Sequence, residues 1–340
     1  MQISDLKSAV NENLLAFAWN EWAQLGVLAD IRHPSPWAAD PEAFLLFSLQ
    51  LARAEPRLFD EVLDWAVANS ASVSVQRLRN QYASDEDGRL AEAALAWAAL
   101  NGARLRARSA QPLPSPEPLF YEMRSPGRPD PVFAQYGLLK PLTRRTMKSR
   151  LPDLALPINF AFRLRHIFGL GTRADVLRFL LTASAASPPP SRPLFTTLAI
   201  AEAAGYSKRN VQEALNDLSS AEAIGHVIRG NEHLYSVDPE QWRSLLPRGT
   251  DRYPLYRDWP HALVAVRELH RWLSDAKTAE LSGYMRSSEA RRMMDSILPS
   301  LHYAGMPVTT PPTGETDDYW PVFVDLVQRI VATLSSESPW

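Results

Sequence analysis

Histidine is the residue type here best suited to proton transfer or metal binding, and the chain holds seven, His33, His166, His226, His233, His261, His270 and His302. None stands at the spacing of a zinc motif such as H-E-x-x-H or H-x-H. Cysteine is absent, which excludes disulfides, thiolate metal sites and cysteine nucleophiles. His226 and His233 fall in two strand-like runs that can meet across a hairpin, where packing explains them as well as a ligand role does. Gly169-Leu170-Gly171-Thr172 opens a helix but lacks the third glycine and the Gly-Lys-Ser/Thr ending that cradle a triphosphate. There is no G-x-S-x-G elbow and no carboxylate pair of the kind that holds two magnesium ions. The expectation is a protein without a metal or cofactor whose work is not catalysis.

Chemistry of another kind lies between residues 207 and 221. Ser207 supplies an N-cap oxygen, and Val211, Leu215 and Leu218 recur at helical spacing, so one side of the helix that follows faces a core. The other side carries Lys208, Arg209, Gln212, Glu213 and Asn216, with Asn210 beside them, the donor and acceptor types that read base edges in a major groove. A solvated helix face carries the same residue types, so the neighbouring elements matter. Asp175 to Leu181 reads as a scaffold helix, and Leu198 to Ala204 as a short second helix stopped by Gly205, whose tolerance of positive φ suits a tight turn. Beyond the polar helix, Gly225 to Arg229 and Glu232 to Val237 flank Gly230-Asn231, a hairpin signal. The predicted order is helix, helix-turn-helix, hairpin.

That order, with Ser207-Lys208-Arg209-Asn210-Val211 ahead of Leu215 and Leu218 and then Ala223-Ile224-Gly225, resembles the winged-helix bacterial regulators of the MarR, ArsR and GntR type. The resemblance covers about residues 170 to 246 of 340. It implies that the helix from Ser207 enters the major groove of double-stranded DNA, that Arg229 and Asn231 are wing contacts, and that the protein acts as a dimeric transcriptional repressor on a two-fold operator. Glu213 and Asp217 leave the reading helix nearly neutral, a departure from the pattern. Phosphate affinity would then lean on Lys140 to Arg173, which sets eight basic residues, Arg144, Arg145 and Lys148 among them, against the single acid Asp153. A solvated basic connector is the plainer reading of that run. The lead-in from Leu151-Pro152-Asp153 to Arg163-Leu164-Arg165-His166 is similar to bacterial proteins encoded beside nucleotidyltransferase-like toxins. That resemblance implies an antitoxin, which holds a toxin-like partner protein and represses its own operon.

The remaining sequence sets the frame. Apolar residues make up 46% and charged residues 22% of the chain, the balance of a folded protein rather than a disordered one, and 340 residues exceed one ordinary domain. The predicted fold class is mainly α, a central winged helix-turn-helix between helical ends: a helical region at 1–108, a proline-rich linker at 109–139, the basic lead-in with the winged helix at 140–246, and a helical region at 247–340. The prolines of the linker argue against helix there. Leu58 to Tyr82 loosely echoes the helix-turn-helix, an echo that helix packing also produces. Trp19, Trp22, Trp37, Trp65 and Trp97 are expected to fill a core rather than line a ligand pocket. A net charge of −2 gives no global pull toward nucleic acid. With no signal segment at the start and no apolar run of membrane-spanning length, a cytoplasmic location is expected.

Overall fold

Five helices open the chain: α1 (Ile3–Gln24), α2 (Pro41–Leu51), α3 (Pro56–Ala68), α4 (Val75–Asn80) and α5 (Asp85–Leu100). Their starts follow local rules. Asp40 accepts a hydrogen bond from the Ala43 amide at 3.1 Å with Pro41 at the first helical position, Ser74 caps α4, and Ser84 caps α5 ahead of three acids in its first turn. The computed structural model describes residues 1–110, 115–125, 127–185, 192–246, 249–306, 308–309 and 318–336, and over these the protein is mainly α-helical. No described helix is long and apolar enough to cross a membrane.

The stretch 109–139 departs from the linker expectation. It contains β1 (Glu117–Pro118), the short helix α6 (Pro131–Gln135) and β2 (Leu138–Leu139), with β1 and β2 paired in parallel. Pro131 does not prevent the helix because it occupies the first helical position, where the missing N–H has no intrahelical partner to lose, and Asp130 caps the Val132 amide at 2.9 Å. Leu119, Phe133 and Leu138 are buried in one apolar cluster with residues of α3 and α5, and Phe59 meets both Phe120 and Phe133 edge-on. Pro112, Pro114 and Pro126 lie outside the described residues.

Next come α7 (Phe160–Phe168), α8 (Thr172–Ala185), β3 (Phe195–Thr196), α9 (Thr197–Ala204), α10 (Lys208–Ser220), β4 (Gly225–Arg229) and β5 (Glu232–Ser236). The strands form an antiparallel sheet in the order β3-β5-β4, with Val227 opposite Leu234 and Phe195 opposite Tyr235. Part of the break expected between Ser184 and Pro193 falls outside the described residues. The chain closes with α11 (Trp259–Ser274), α12 (Ala276–Ala279), α13 (Gly283–Tyr303) and α14 (Trp320–Leu334). The break expected at Pro307 to Pro312 and Thr313-Gly314-Glu315 lies largely outside the described residues.

The two helical ends of the sequence share one core. Trp259 on α11 packs against Phe17 and Phe44, with ring centroids 5.8 and 4.9 Å away, and its indole N–H donates to the Ala38 carbonyl. Buried residues of α1, α2, α3 and α5 form a single cluster with those of α11, α13 and α14. Trp22, Trp37, Trp65 and Trp97 are buried in it, and Trp19 is half-buried. A second apolar cluster is built from α7, α8, α9, α10 and β5 around Leu177, Ile200, Leu215 and Tyr235. α7 contributes to both clusters, Phe162 to the first and Phe160 and Leu164 to the second, and buried charges also lie between them.

Candidate nucleic-acid interface

The polar helix α10 is fixed at its start by two residues. Gly205 ends α9 in the left-handed conformation, φ +71°, which glycine adopts without steric cost, and the Ser207 hydroxyl accepts from the Asn210 amide at 3.3 Å. Val211, Leu215 and Leu218 are buried, as their spacing requires. Beside α10 stands the hairpin β4–β5. Gly230, φ +60°, takes the first position of its two-residue turn, the place where a type II′ turn needs glycine. β4 is exposed along its length.

The structure separates the sequence-predicted contacts into those that face outward and those already engaged. Ser207, Lys208, Arg209, Glu213 and Asn216 are exposed on α10, and Arg229 and Asn231 are exposed at the hairpin tip. Asn210 is half-buried, its amide used in the cap. Arg209, 87% exposed, pairs with Glu213 one turn along at 3.2 Å, an exchange that water and phosphate readily displace. Gln212 departs from its expected role. Its amide donates to the Tyr235 hydroxyl at 2.8 Å and to Asn216 at 2.9 Å, and its carbonyl accepts from the Thr197 hydroxyl at 3.0 Å. It ties α10 to β5 and α9, with its amide N–H groups and one acceptor site of its carbonyl engaged within the protein.

The basic run is likewise mostly spent inside the protein. Arg145 binds Asp64 at 2.7 Å and the Asn101 carbonyl at 3.2 Å, and the Lys148 amide donates to the same Asp64 at 3.1 Å. Lys140 is buried against Asp60 at 2.8 Å, and Arg163 donates to the Leu245 carbonyl at 2.6 Å. The side chains of Arg144 and Lys148 are exposed. Arg173 pairs with Asp217 at the surface of α10. Of the eight basic residues in 140–173, Lys140, Arg145, Arg163, Arg165 and Arg173 are paired with acids or carbonyls of the protein itself, and Arg144, Lys148 and Arg150 face outward.

Sequence reasoning missed what holds α10 in place. Asp40, Glu42, Arg77, Arg165, Asp175 and Arg178 are all nearly or fully shielded from solvent and form one network between α2, α4, α7 and α8. Arg77 bridges Asp40 and Glu42, Arg165 bridges Glu42 and Asp175, and Arg178 completes the pairing of Asp40 at 3.2 Å. Burial by itself pushes the carboxyls of Asp40 and Glu42 up, yet the adjoining guanidiniums hold both below the usual carboxylate range. The network reaches the turn between α9 and α10 directly. Arg77 donates to the Ala204 carbonyl, Asn80 to the Gly205 carbonyl at 3.1 Å, and the Tyr206 hydroxyl to Asp175 at 3.2 Å. These residues are scattered over more than 130 positions, and no local pattern marks them.

His226 and His233 do meet across the hairpin, with Nε2 and Nδ1 2.9 Å apart and the His226 ring stacked on Tyr235. Among the described residues no group of three or more histidines and carboxylates is placed to hold a metal ion. Comparison of the chain with family models, with curated proteins and with solved structures finds no match.

Proposed function

We propose that residues 172 to 246 are a winged helix-turn-helix that binds double-stranded DNA with sequence preference, and that the protein is a transcriptional regulator, acting as a dimeric repressor. The observation that carries this reading is the placement of the exposed polar face of α10 beside a projecting two-stranded hairpin, with α8 and α9 packed behind. In such an arrangement α10 enters the major groove and the hairpin follows the backbone. Lys208, Arg209 and Asn216 are then the base-reading candidates, and Arg229 and Asn231 the wing contacts. Gln212 is a positioning residue that holds α10 at its angle to the sheet.

A titration of the full chain against its own promoter DNA and a scrambled duplex, followed by fluorescence anisotropy at two salt concentrations, tests the reading. Promoter-selective binding that weakens as salt rises is expected, because each phosphate contact releases condensed counterions. Equal affinity for the two duplexes, or none for either, removes it.

A second reading, a module that binds and neutralises a toxin-like partner protein, draws on the balanced charge of α10 and on apolar side chains beside it. Val227 and Ile228 on β4 and Leu198 on α9 are exposed, Ile228 to 60%. Co-purification of a neighbouring gene product in the absence of DNA supports this second reading.

A further inference from the structure

Away from α10, a cavity of about 170 Å³ opens between α1, the loop from Arg32 to Trp37 and the end of α14. Phe17, Trp37 and Leu334 give it apolar walls, and Glu21 projects from α1 into its lining. Glu21 is only 4% exposed. Its Oε1 accepts from the Asn20 amide at 3.1 Å, while its Oε2 is shut off from solvent with no hydrogen-bond partner. A carboxylate oxygen buried in this way is costly unless something pairs with it. Among the described residues no donor stands at hydrogen-bond distance from Oε2, although Ser35 and Arg257 lie close enough to favour its charged form. Arg257 is itself stacked on Trp37 at 3.7 Å and donates to the Leu334 carbonyl at 2.9 Å.

We propose that this cavity binds a small organic cation, a primary ammonium or guanidinium group on a short aliphatic stem, with Glu21 as its counter-ion. The volume selects size, since it falls below the ~300 Å³ of pockets that enclose drug-sized molecules or nucleotides. Charge is selected by depth. Arg32 and His33 also line the cavity and are cationic or titratable, but they are exposed and screened by water, whereas the Glu21 carboxyl is desolvated and interacts through protein. Aromatic and aliphatic walls suit the stem of such a ligand and the face of its charged head. Burial pushes the Glu21 carboxyl up to about 7, against the lowering effects of Asn20, Ser35 and Arg257, so cation binding near neutral pH is coupled to loss of its proton.

Calorimetric titration of the full chain with n-butylammonium at pH 6 and pH 8 tests this, with butyrate and n-butanol as probes of opposite and no charge. Saturable binding of n-butylammonium is expected, about tenfold tighter at pH 8, because the ionised fraction of a carboxyl with a pKa of about 7 rises about tenfold over that interval. Glu21→Gln removes both the affinity and its pH response while the helical circular dichroism stays unchanged. His33→Asn keeps the pH response, which assigns it to the carboxyl rather than to the imidazole. The proposal is overturned by absence of saturation in the wild type at pH 8, by equal binding of butyrate or n-butanol, or by unaltered binding to Glu21→Gln. None of these outcomes bears on DNA binding, which the anisotropy titration measures separately.

Discussion

Arg77 on α4 donates from Nε to the carbonyl of Ala204, the last residue of α9, at 2.6 Å, so the turn before α10 is held by a side chain 127 positions earlier in the chain. The same guanidinium pairs with Asp40 and Glu42. One buried cation thereby joins the N-terminal helices to the end of α9. Loss of Arg77 leaves Asp40 to Arg178 and Glu42 to Arg165, an excess of negative charge in a dry site, and breaking a buried pair of this kind costs about 3–5 kcal/mol. Arg77→Met is expected to lower the urea midpoint accordingly; a change below ~1 kcal/mol would mean that the network contributes little to stability.

Gly205 tests the same junction through the backbone. Its φ of +71° disfavours any side chain, and a Cβ there would come within 3.1 Å of Arg77 Nε. Gly205→Ala is expected to destabilise by more than about 1 kcal/mol, read as a fall in Tm. Gly230, φ +60° at the hairpin tip, has nothing within 4 Å of such a Cβ. Its alanine variant carries the conformational strain without the collision and is expected to lose less.

The parts of the fold visible in the sequence are those set by neighbours in the chain. Ser207, Gly205 and the spacing of Val211, Leu215 and Leu218 specify α9, α10 and the turn between them, and Gly230 specifies the hairpin. What the sequence hides depends on distance. The helices from α11 onward complete the core of α1 to α5 through Trp259, a contact across more than 200 positions that periodicity does not encode. Arg145 and Lys140 look free in a basic run until Asp64 and Asp60 of α3 arrive beside them. Gln212 looks available for a base until β5 brings up the Tyr235 hydroxyl. In each case the residue type is readable while its partner is set by packing.

The network makes acid a specific stress. Asp40 and Glu42 titrate below their ordinary values of 3.8 and 4.5 in the folded protein, so the unfolded chain binds protons first as pH falls. Their contribution is complete above about pH 5 and is lost as pH drops through the folded values. Glu21 has the opposite sign. Its carboxyl is raised from 4.5 to about 7 on folding, so stability from this group is highest below about pH 4.5 and declines as pH rises toward 7. A shift of this size corresponds to about 3 kcal/mol. Glu21→Gln is therefore expected to be more stable than the wild type at pH 8 and close to it at pH 4, by urea denaturation at the two pH values. An equal effect at both would show that the carboxyl does not titrate between them.

Arg209 and Gln212 lie three residues apart on α10 in different surroundings. Arg209 is exposed and held only by Glu213, so its replacement by alanine should leave Tm within about 1 °C, since surface changes of this kind fall near ±0.5 kcal/mol. If α10 reads DNA, the same change should weaken binding to the promoter by about 1–3 kcal/mol and relax the preference at one base pair. Gln212→Ala removes hydrogen bonds to Thr197, Tyr235 and Asn216 and should lower Tm. Its effect on DNA should follow from the lost angle of α10, weakening promoter and scrambled duplexes alike. Arg229→Ala, at the hairpin tip, separates charge from reading, because removal of one phosphate contact reduces the slope of log affinity against log salt by about 1 without altering which base is preferred. A Gln212→Ala protein that keeps its Tm but loses selectivity at a single base pair would return Gln212 to the reading face.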